Sequence, residues 1–444
     1  MEFFEIGSRF FEQVMPWMIS IWWLYLFIGL VLLLPFLWLS YIQEHYKKTA
    51  LNPVLLEIRV PRELERSPRA MEQIFTQIHA LRNSASNVEE KWWQGEVPLW
   101  FSFEVASFGG EIHFFIRIPT RHRNIVEAAF YASYPDVEIS DVREDYIKRF
   151  PKSVDELFAK KYRFFGNELL LAKPDAYPIR TYYDFETPED ESKLDPVAGL
   201  MEVMAKIGKS EDIWVQVIAR PLIDDSWRDS GAKLVQELKE RAKTEFETTS
   251  GKFVMTDRSP GDIDTLKAIE RNLSKPGFDV VIRYLYIAPD SVYTTNFGQR
   301  GVFSAFNQYM TENLNKFRHN YDMWTRSSFW YPPYLFPKRR LKARQAAIWE
   351  RFRKRHIYEK LVISRLREMH FFSFGFKVKN VLKGGAFTHT ITLNTEELAT
   401  IYHLPTKLVL TAPIMKRMEA KRVGPPAGLS IFGDDGESGN LPIK

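Results

Sequence analysis

Hydrophobic and polar positions alternate in two distinct ways along this chain, and one stretch does not alternate at all. Residues 17–40 read WMISIWWLYLFIGLVLLLPFLWLS, with no charged side chain across the run. About 20 apolar residues cross a hydrocarbon core. Trp17, Trp22, Trp23 and Trp38, with Tyr41 just beyond, suit the aromatic preference for bilayer edges, and Pro35 is tolerable within a membrane helix. The run is longer than a signal-peptide core, follows an acidic leader (Glu2, Glu5, Glu12) and precedes no small-residue cleavage pattern. The expectation is a short N-terminal segment (1–16) and a transmembrane helix (17–41). Arg9 alone precedes the span, whereas Lys47, Lys48, Arg59 and Arg62 follow it. The positive-inside rule then puts the N-terminus outside and the body in the cytoplasm, at the cell membrane.

Past the span, the period changes. Residues 54–60 alternate, with Val54, Leu56, Ile58 and Val60 on one side and Glu57 and Arg59 on the other. Ser67-Pro68 opens a helix carrying Met71, Ile74, Phe75, Ile78 and Leu81. Leu99–Ala106 and Ile112–Ile118 alternate around a Gly109-Gly110 turn. A helix with Ile125, Val126, Ala129 and Phe130 and a short strand with Val137 and Ile139 complete the order β-α-β-β-α-β.

That order recurs. A strand near 168–172 or 179–183, a helix opened by Asp195-Pro196, strands at 213–221 and 278–288, and a helix at 299–317 follow in turn, with a last strand at 388–393. Polar helices near 231–247 and 260–274 read as inserted. The expected class is α+β: one N-terminal transmembrane helix plus two ferredoxin-like domains, the second with a helical insertion. The boundaries are 52–145 for the first domain and 160–315 plus 376–412 for the second, with the insertion at 222–276. Asn394 and Glu397 form a capping-box pattern, and the Gly- and Pro-rich tail covers 423–444.

Composition narrows the chemistry. The 444 residues include no cysteine, which removes disulfides, thiolate metal sites and cysteine nucleophiles. No GxxxxGK[ST], GxGxxG or GxSxG occurs, and the GDDGESG stretch is acidic and would repel phosphate. The histidines form no metal-binding spacing; His113 reads as a solvated strand residue and His403 as a helix-end residue reaching the last carbonyls. Asp224-Asp225 and residues 189–191 read as solvated loop carboxylates. The expectations are no enzyme activity, no cofactor and no metal.

Net charge is only +5, but residues 316–368 hold 15 Lys or Arg against 4 Asp or Glu. This basic-aromatic helical segment, bounded at 316–375, supplies the candidate anion-binding residues Lys338, Arg339, Arg340, Lys342, Arg344, Arg351, Arg353, Lys354 and Arg355, with Trp330, Tyr331 and Tyr334. Cations interleaved with aromatics suit single-stranded nucleic acid, an anionic leaflet or an acidic protein. A solvated helix neutralised by the chain's own acids suits the same composition.

Five phrases carry a resemblance: LEIRVPRELERSPRAMEQIF (56–75), DIWVQVIARP (212–221), GFDVVIRYLYIA (277–288), LNTEELATIYHLPT (393–406) and APIMKRMEAKRVGPPAGL (412–429). Together they resemble the membrane-proximal, non-ATPase region of type IV secretion and conjugative DNA-transfer proteins of small-genome bacteria. In fused relatives a stretch like Pro425-Pro426-Ala427-Gly428-Leu429 leads into the nucleotide-binding domain; here the sequence stops at Lys444. The resemblance therefore implies a membrane-anchored scaffold or docking subunit working with an ATPase in trans. The alternative is a membrane-tethered nucleic-acid binder using 316–368. Expected partners are the bilayer and that ATPase; nucleic acid and a second copy of the chain stay open.

Overall fold

The computed structural model describes residues 20–61, 64, 66–185, 194–241, 243–248, 251–256, 259–326, 328, 330, 336–355, 357 and 389–406. Residues 1–19, the parts 376–388 and 407–412 of the expected second domain, and the tail 423–444 fall outside them.

Helix α1 (Trp22–Thr49) covers most of the expected span, whose first residues 17–19 lie outside the described set, and runs eight residues past Tyr41, with Pro35 inside it and no residue buried. Strand β1 (Pro53–Arg59) leads to α2 (Arg69–Ala80), β2 (Phe101–Phe108), β3 (Glu111–Pro119), α3 (Arg123–Ser133) and β4 (Glu138–Asp141). Gly109 and Gly110 make the β2–β3 turn at φ +61° and +96°, and a Cβ on Gly109 would lie 2.7 Å from the Lys209 carbonyl oxygen. In space these strands lie in the order β4-β1-β3-β2.

After α4 (Val154–Ala159) come β5 (Tyr162–Leu171), α5 (Ala198–Ala205), β6 (Asp212–Pro221) and β9 (Gly277–Pro289). Between β6 and β9 lie α6 (Ser226–Arg241), the hairpin β7 (Lys243–Thr248) and β8 (Gly251–Thr256), and α7 (Pro260–Ser274). The hairpin replaces the C-terminal part of the helix expected over 231–247. Short turns over 297–309 and β10 (Phe317–His319) follow, giving the spatial order β10-β5-β9-β6. Both halves thus place their strands fourth-first-third-second, all antiparallel, and β2 pairs with β6 from Phe101↔Ala219 to Phe108↔Asp212.

Two expectations change. The helix expected over 299–317 is a broken series of turns ending at Tyr309. Buried Asn315 accounts for the break. Its side chain accepts from the Ala172 and Lys173 N–H groups and donates to the carbonyls of Lys173, Pro174 and Tyr177, so it fixes a loop where a helix would need a solvent-facing residue. The fourth strand of the second half is therefore β10, inside the basic segment. The expected last strand is β11 (Ile391–Asn394), which instead pairs with the start of β9.

Both sheet faces are covered. One packs under α2, α3, α5 and α9 (Thr395–Ile401), with Phe75, Phe130, Met201 and Leu398 in its core. Ile125, expected inward, points out. The opposite face packs under residues 146–159 and α8 (Pro337–Lys354), around Phe115, Trp214, Ile348 and Trp349. Coverage on two sides explains why β2 and β6 are buried along nearly their whole length, the polar Ser102, Glu104, Ser107 and Gln216 included.

Every residue of α9 is buried. Asn394 accepts from the Glu397 N–H at 2.8 Å, and Glu397 accepts from the Asn394 and Ile179 N–H groups at 2.9 Å each. His403 turns Nδ1 to the Ala399 carbonyl and Nε2 to Asp195, both at 2.8 Å. Burial pushes the Glu397 carboxyl up to about 8 despite those N–H groups. Burial also opposes ionisation of Asp195, but His403 and the Thr406 and Val197 N–H groups win and hold it at about 2.

The two carboxyls give opposite pH dependences. Asp195 contributes stability that is present above 3.8 and lost as pH falls through about 2. The Glu397 contribution is present below 4.5 and fades as pH rises through about 8. In thermal unfolding of the detergent-solubilised chain, Glu397→Gln should flatten the decline in Tm between pH 5 and 8, and Asp195→Asn should flatten the acid limb. An unchanged alkaline slope in Glu397→Gln would refute the assignment.

Candidate functional site: the charged helix and the membrane-facing end

Helix α8 inserts its C-terminal end into a polar row across the sheet. Glu104 on β2 sits opposite Gln216 on β6, Gln216 opposite Arg283 on β9, and Arg283 opposite Glu168 on β5. All four are fully buried. Arg283 Nε donates to Glu168 at 2.8 Å, and Gln216 Nε2 donates to Glu104 at 3.1 Å. The last carbonyls of a helix lack internal partners. Here those of Arg351 and Phe352 accept from Arg283 at 3.3 Å and Gln216 at 3.2 Å.

Arg355, at φ +50°, ends α8 and folds its guanidinium over Glu104. Nε and Nη2 donate to its two oxygens at 2.6 and 2.9 Å, and Nη2 also reaches Asp145 at 2.9 Å. Ser102 and Tyr146 donate to Glu104 at 2.6 and 2.7 Å. Trp100 Nε1 donates to the Arg355 carbonyl at 2.7 Å.

The other candidate cations divide by direction. Arg340 and Arg344 are buried and donate to the carbonyls of Ser328 and Arg326. Arg351 contacts Met323 Sδ, and Arg353 donates to the carbonyls of Ile147, Phe150 and Pro151. Lys338, Arg339, Lys342 and Lys354 face outward, with Lys342 3.0 Å from Asp155 and Lys354 2.5 Å from Glu350. Trp330 is 81% exposed, while Tyr331 and Tyr334 lie outside the described residues. Among the described residues the cations of the segment divide in two: five arginines serve internal carbonyls, a thioether and carboxylates, and Lys338, Arg339, Lys342 and Lys354 face outward.

His113, expected in solvent, is half-buried with Nδ1 2.7 Å from Glu57, whose carboxyl that contact lowers. Asp225 is exposed and meets Arg228 at 2.7 Å; residues 189–191 lie outside the described set. Sequence reading missed Glu104, Glu168, Gln216 and Arg283. Their signal was a charged or amide residue in the middle of a strand rich in apolar residues.

At the other end, α1 is long and apolar enough to cross a membrane. Trp22, Trp23, Trp38 and Tyr41 are exposed on it, and Trp17 precedes the described residues. A turn at Glu90–Gln94 docks beside this helix. Trp38 Nε1 donates to the Trp92 carbonyl at 2.8 Å, and Tyr46 donates to Glu96 at 3.1 Å. Gly95, at φ +69°, lets the backbones touch: a Cβ there would lie 2.6 Å from the Ile42 carbonyl carbon. The result is an apolar groove between Val31, Leu34, Pro35 and Trp38 on one side and Val88, Trp92 and Trp93 on the other. Trp93 is 72% and Val88 73% exposed.

A family model, described as a domain of unknown function (DUF8128), matches residues 43–417. The chain belongs to that family. The match begins two residues after Tyr41 and takes in the end of α1, the sheet, α8 and α9. No curated protein matches the chain.

Two outcomes test these arrangements. Arg355→Leu leaves Glu104 buried with one cation fewer, a change that costs roughly 3–5 kcal/mol. Urea unfolding of the solubilised chain should show that loss, whereas Lys338→Leu should stay within about 0.5 kcal/mol of wild type. Because the natural sequence lacks cysteine, Trp93→Cys can carry a lone nitroxide label in bilayers. It should relax faster with oxygen than with a nickel chelate, and a label on Lys338→Cys should show the reverse. Nickel accessibility at position 93 would remove the turn from the bilayer.

Proposed function

We propose that this chain is a non-catalytic, membrane-anchored scaffold or docking subunit of a type IV secretion- or conjugation-like machine, acting with an ATPase in trans. The observation that carries the scaffold reading is the use of charge: the buried polar groups lock α8 onto the sheet, and the aromatic groups line the apolar helix. The secretion assignment is carried by the sequence resemblance of the β1–α2, β6, β9 and α9 segments. In this reading the body faces the cytoplasm, as the cations after the span favour, and consists of two ferredoxin-like units sharing one sheet. The repeated strand order supports the duplication.

The nucleic-acid alternative keeps Lys338, Arg339, Lys342, Lys354 and Trp330 as outward groups among the described residues. The docking reading is preferred because the resemblance carries it, whereas five arginines in the described part of the segment serve internal acceptors.

The test is affinity purification of the full chain, tagged at its C-terminus, from detergent-solubilised membranes of the source cells. The expected result is a nucleotide-hydrolysing subunit enriched with it. Enrichment of no ATPase, with the chain still in the membrane fraction, would defeat the docking role while leaving the anchor intact.

A further inference from the structure

Where α1 gives way to β1, the surface folds into a pocket of about 150 Å³ lined in part by Glu44, Lys47, Lys48, Trp100, Arg117 and Lys354. Its cations come from three elements far apart in sequence: the last turn of α1, the α8-facing side of β3, and the final residue of α8. Four cations and one carboxylate line it; Glu44 is 3.5 Å from Lys48, and Lys354 is 2.5 Å from Glu350 outside the lining.

Arg117 is the fixed member of the group. It is half-buried on a central strand, and its side chain makes no hydrogen bond or ion pair with a described residue. Burial and the neighbouring Arg355 guanidinium pull its pKa down to about 10, and the opposing pull of Glu104 and Asp145 is the weaker. Both carboxylates are already engaged by Arg355. The strand therefore holds a charged guanidinium at neutral pH whose donors have no acceptor among the described residues. A planar fork of this kind matches phosphate oxygens.

The depth of the pocket identifies the source of phosphate. Trp22 to Tyr41 spans about 30 Å at 1.5 Å per residue, the thickness of a hydrocarbon core. Residues 44–48 then lie about 5–10 Å farther along the axis. A headgroup layer occupies roughly 5–8 Å on each side. The Trp38–Trp92 contact marks the apolar boundary on the same side.

We propose that this pocket binds the phosphate of an anionic lipid headgroup, with Arg117 as the fixed donor and Lys47, Lys48 and Lys354 as the surrounding cations. The proposal rests on the anchoring part of the proposed function and is independent of the ATPase partnership.

Native mass spectrometry of the full chain in detergent tests it, with phosphatidylglycerol, phosphatidylcholine, glycerol 3-phosphate and inorganic phosphate as probes. Phosphatidylglycerol should be retained about tenfold better than phosphatidylcholine. Lys47→Gln/Lys48→Gln, at the outer end of a helix, and Arg117→Gln should each bring retention down to the phosphatidylcholine level. Lys338→Gln/Arg339→Gln, away from the pocket, should leave it unchanged. Equal retention of the two lipids, or a preference that survives both pocket variants, overturns the proposal. Displacement of phosphatidylglycerol by glycerol 3-phosphate or inorganic phosphate at equal concentration assigns the pocket to a soluble phosphate and overturns the lipid source. Release of the chain from membranes by alkaline carbonate is a separate result that defeats the anchor.

Discussion

The seam between β2 and β6 is the constraint on which the architecture depends. Each strand would otherwise be the open edge of a four-stranded half, with a row of unpaired N–H and C=O groups. Eight residue pairs close that edge, from Phe101↔Ala219 to Phe108↔Asp212. Joining the halves creates one sheet broad enough to need cover on both faces. Helices α2, α3, α5 and α9 supply one cover, and α8 supplies much of the other. The seam is also where the polar row crosses from one half to the other, since Glu104 and Gln216 pair directly across it. An exact register follows, because a one-residue slip would turn Glu104 and Gln216 into the apolar core under α2.

Most of the framework was legible because its strands alternate or run apolar and its helices carry apolar residues at helical spacing. The β-α-β-β-α-β order of residues 53–141 could be read in full, as could the Asn394–Glu397 capping box. Three features could not. The hairpin β7–β8 lies in polar sequence without a strong period. The turns over 297–309 carry apolar residues at helical spacing, but Asn315 and its backbone contacts to residues 172–177 are a tertiary device invisible to a window of neighbours. Strand β10 has only three residues and borrows its register from β5.

The cationic segment shows why composition is a weak guide to a binding surface. A run of arginines announces a need for anions or carbonyls and says nothing about where they are. For Arg355 the acceptors are Glu104 and Asp145, more than 200 positions earlier in the chain. For Arg353 they are the carbonyls that precede α4. The matching signal was present in the strands, as isolated Glu, Gln and Arg residues among apolar neighbours. Each half of the pattern was ambiguous alone, and only the paired strands bring them together.

Those internal commitments also position the groups that remain outward. Glu104 and Asp145 hold Arg355, Arg355 ends α8, and the end of α8 fixes the Cα of Lys354 beside Arg117. Trp100 donates to the Arg355 carbonyl and walls the same pocket. From the opposite direction, the turn at 90–94 clamps α1 through Trp38, Ile42 and Tyr46, which sets the height at which Lys47 and Lys48 emerge. A flexible tether would scatter these cations over the headgroup layer, where each acts as an isolated surface charge. A clamped helix meeting a sheet and a capped helix end instead gathers them around one guanidinium. The buried ion pairs are weak evidence for extra stability, since apolar groups of similar volume often serve as well. Their physical consequence here is geometric: they fix where the charged groups at the junction of α1 and β1 stand.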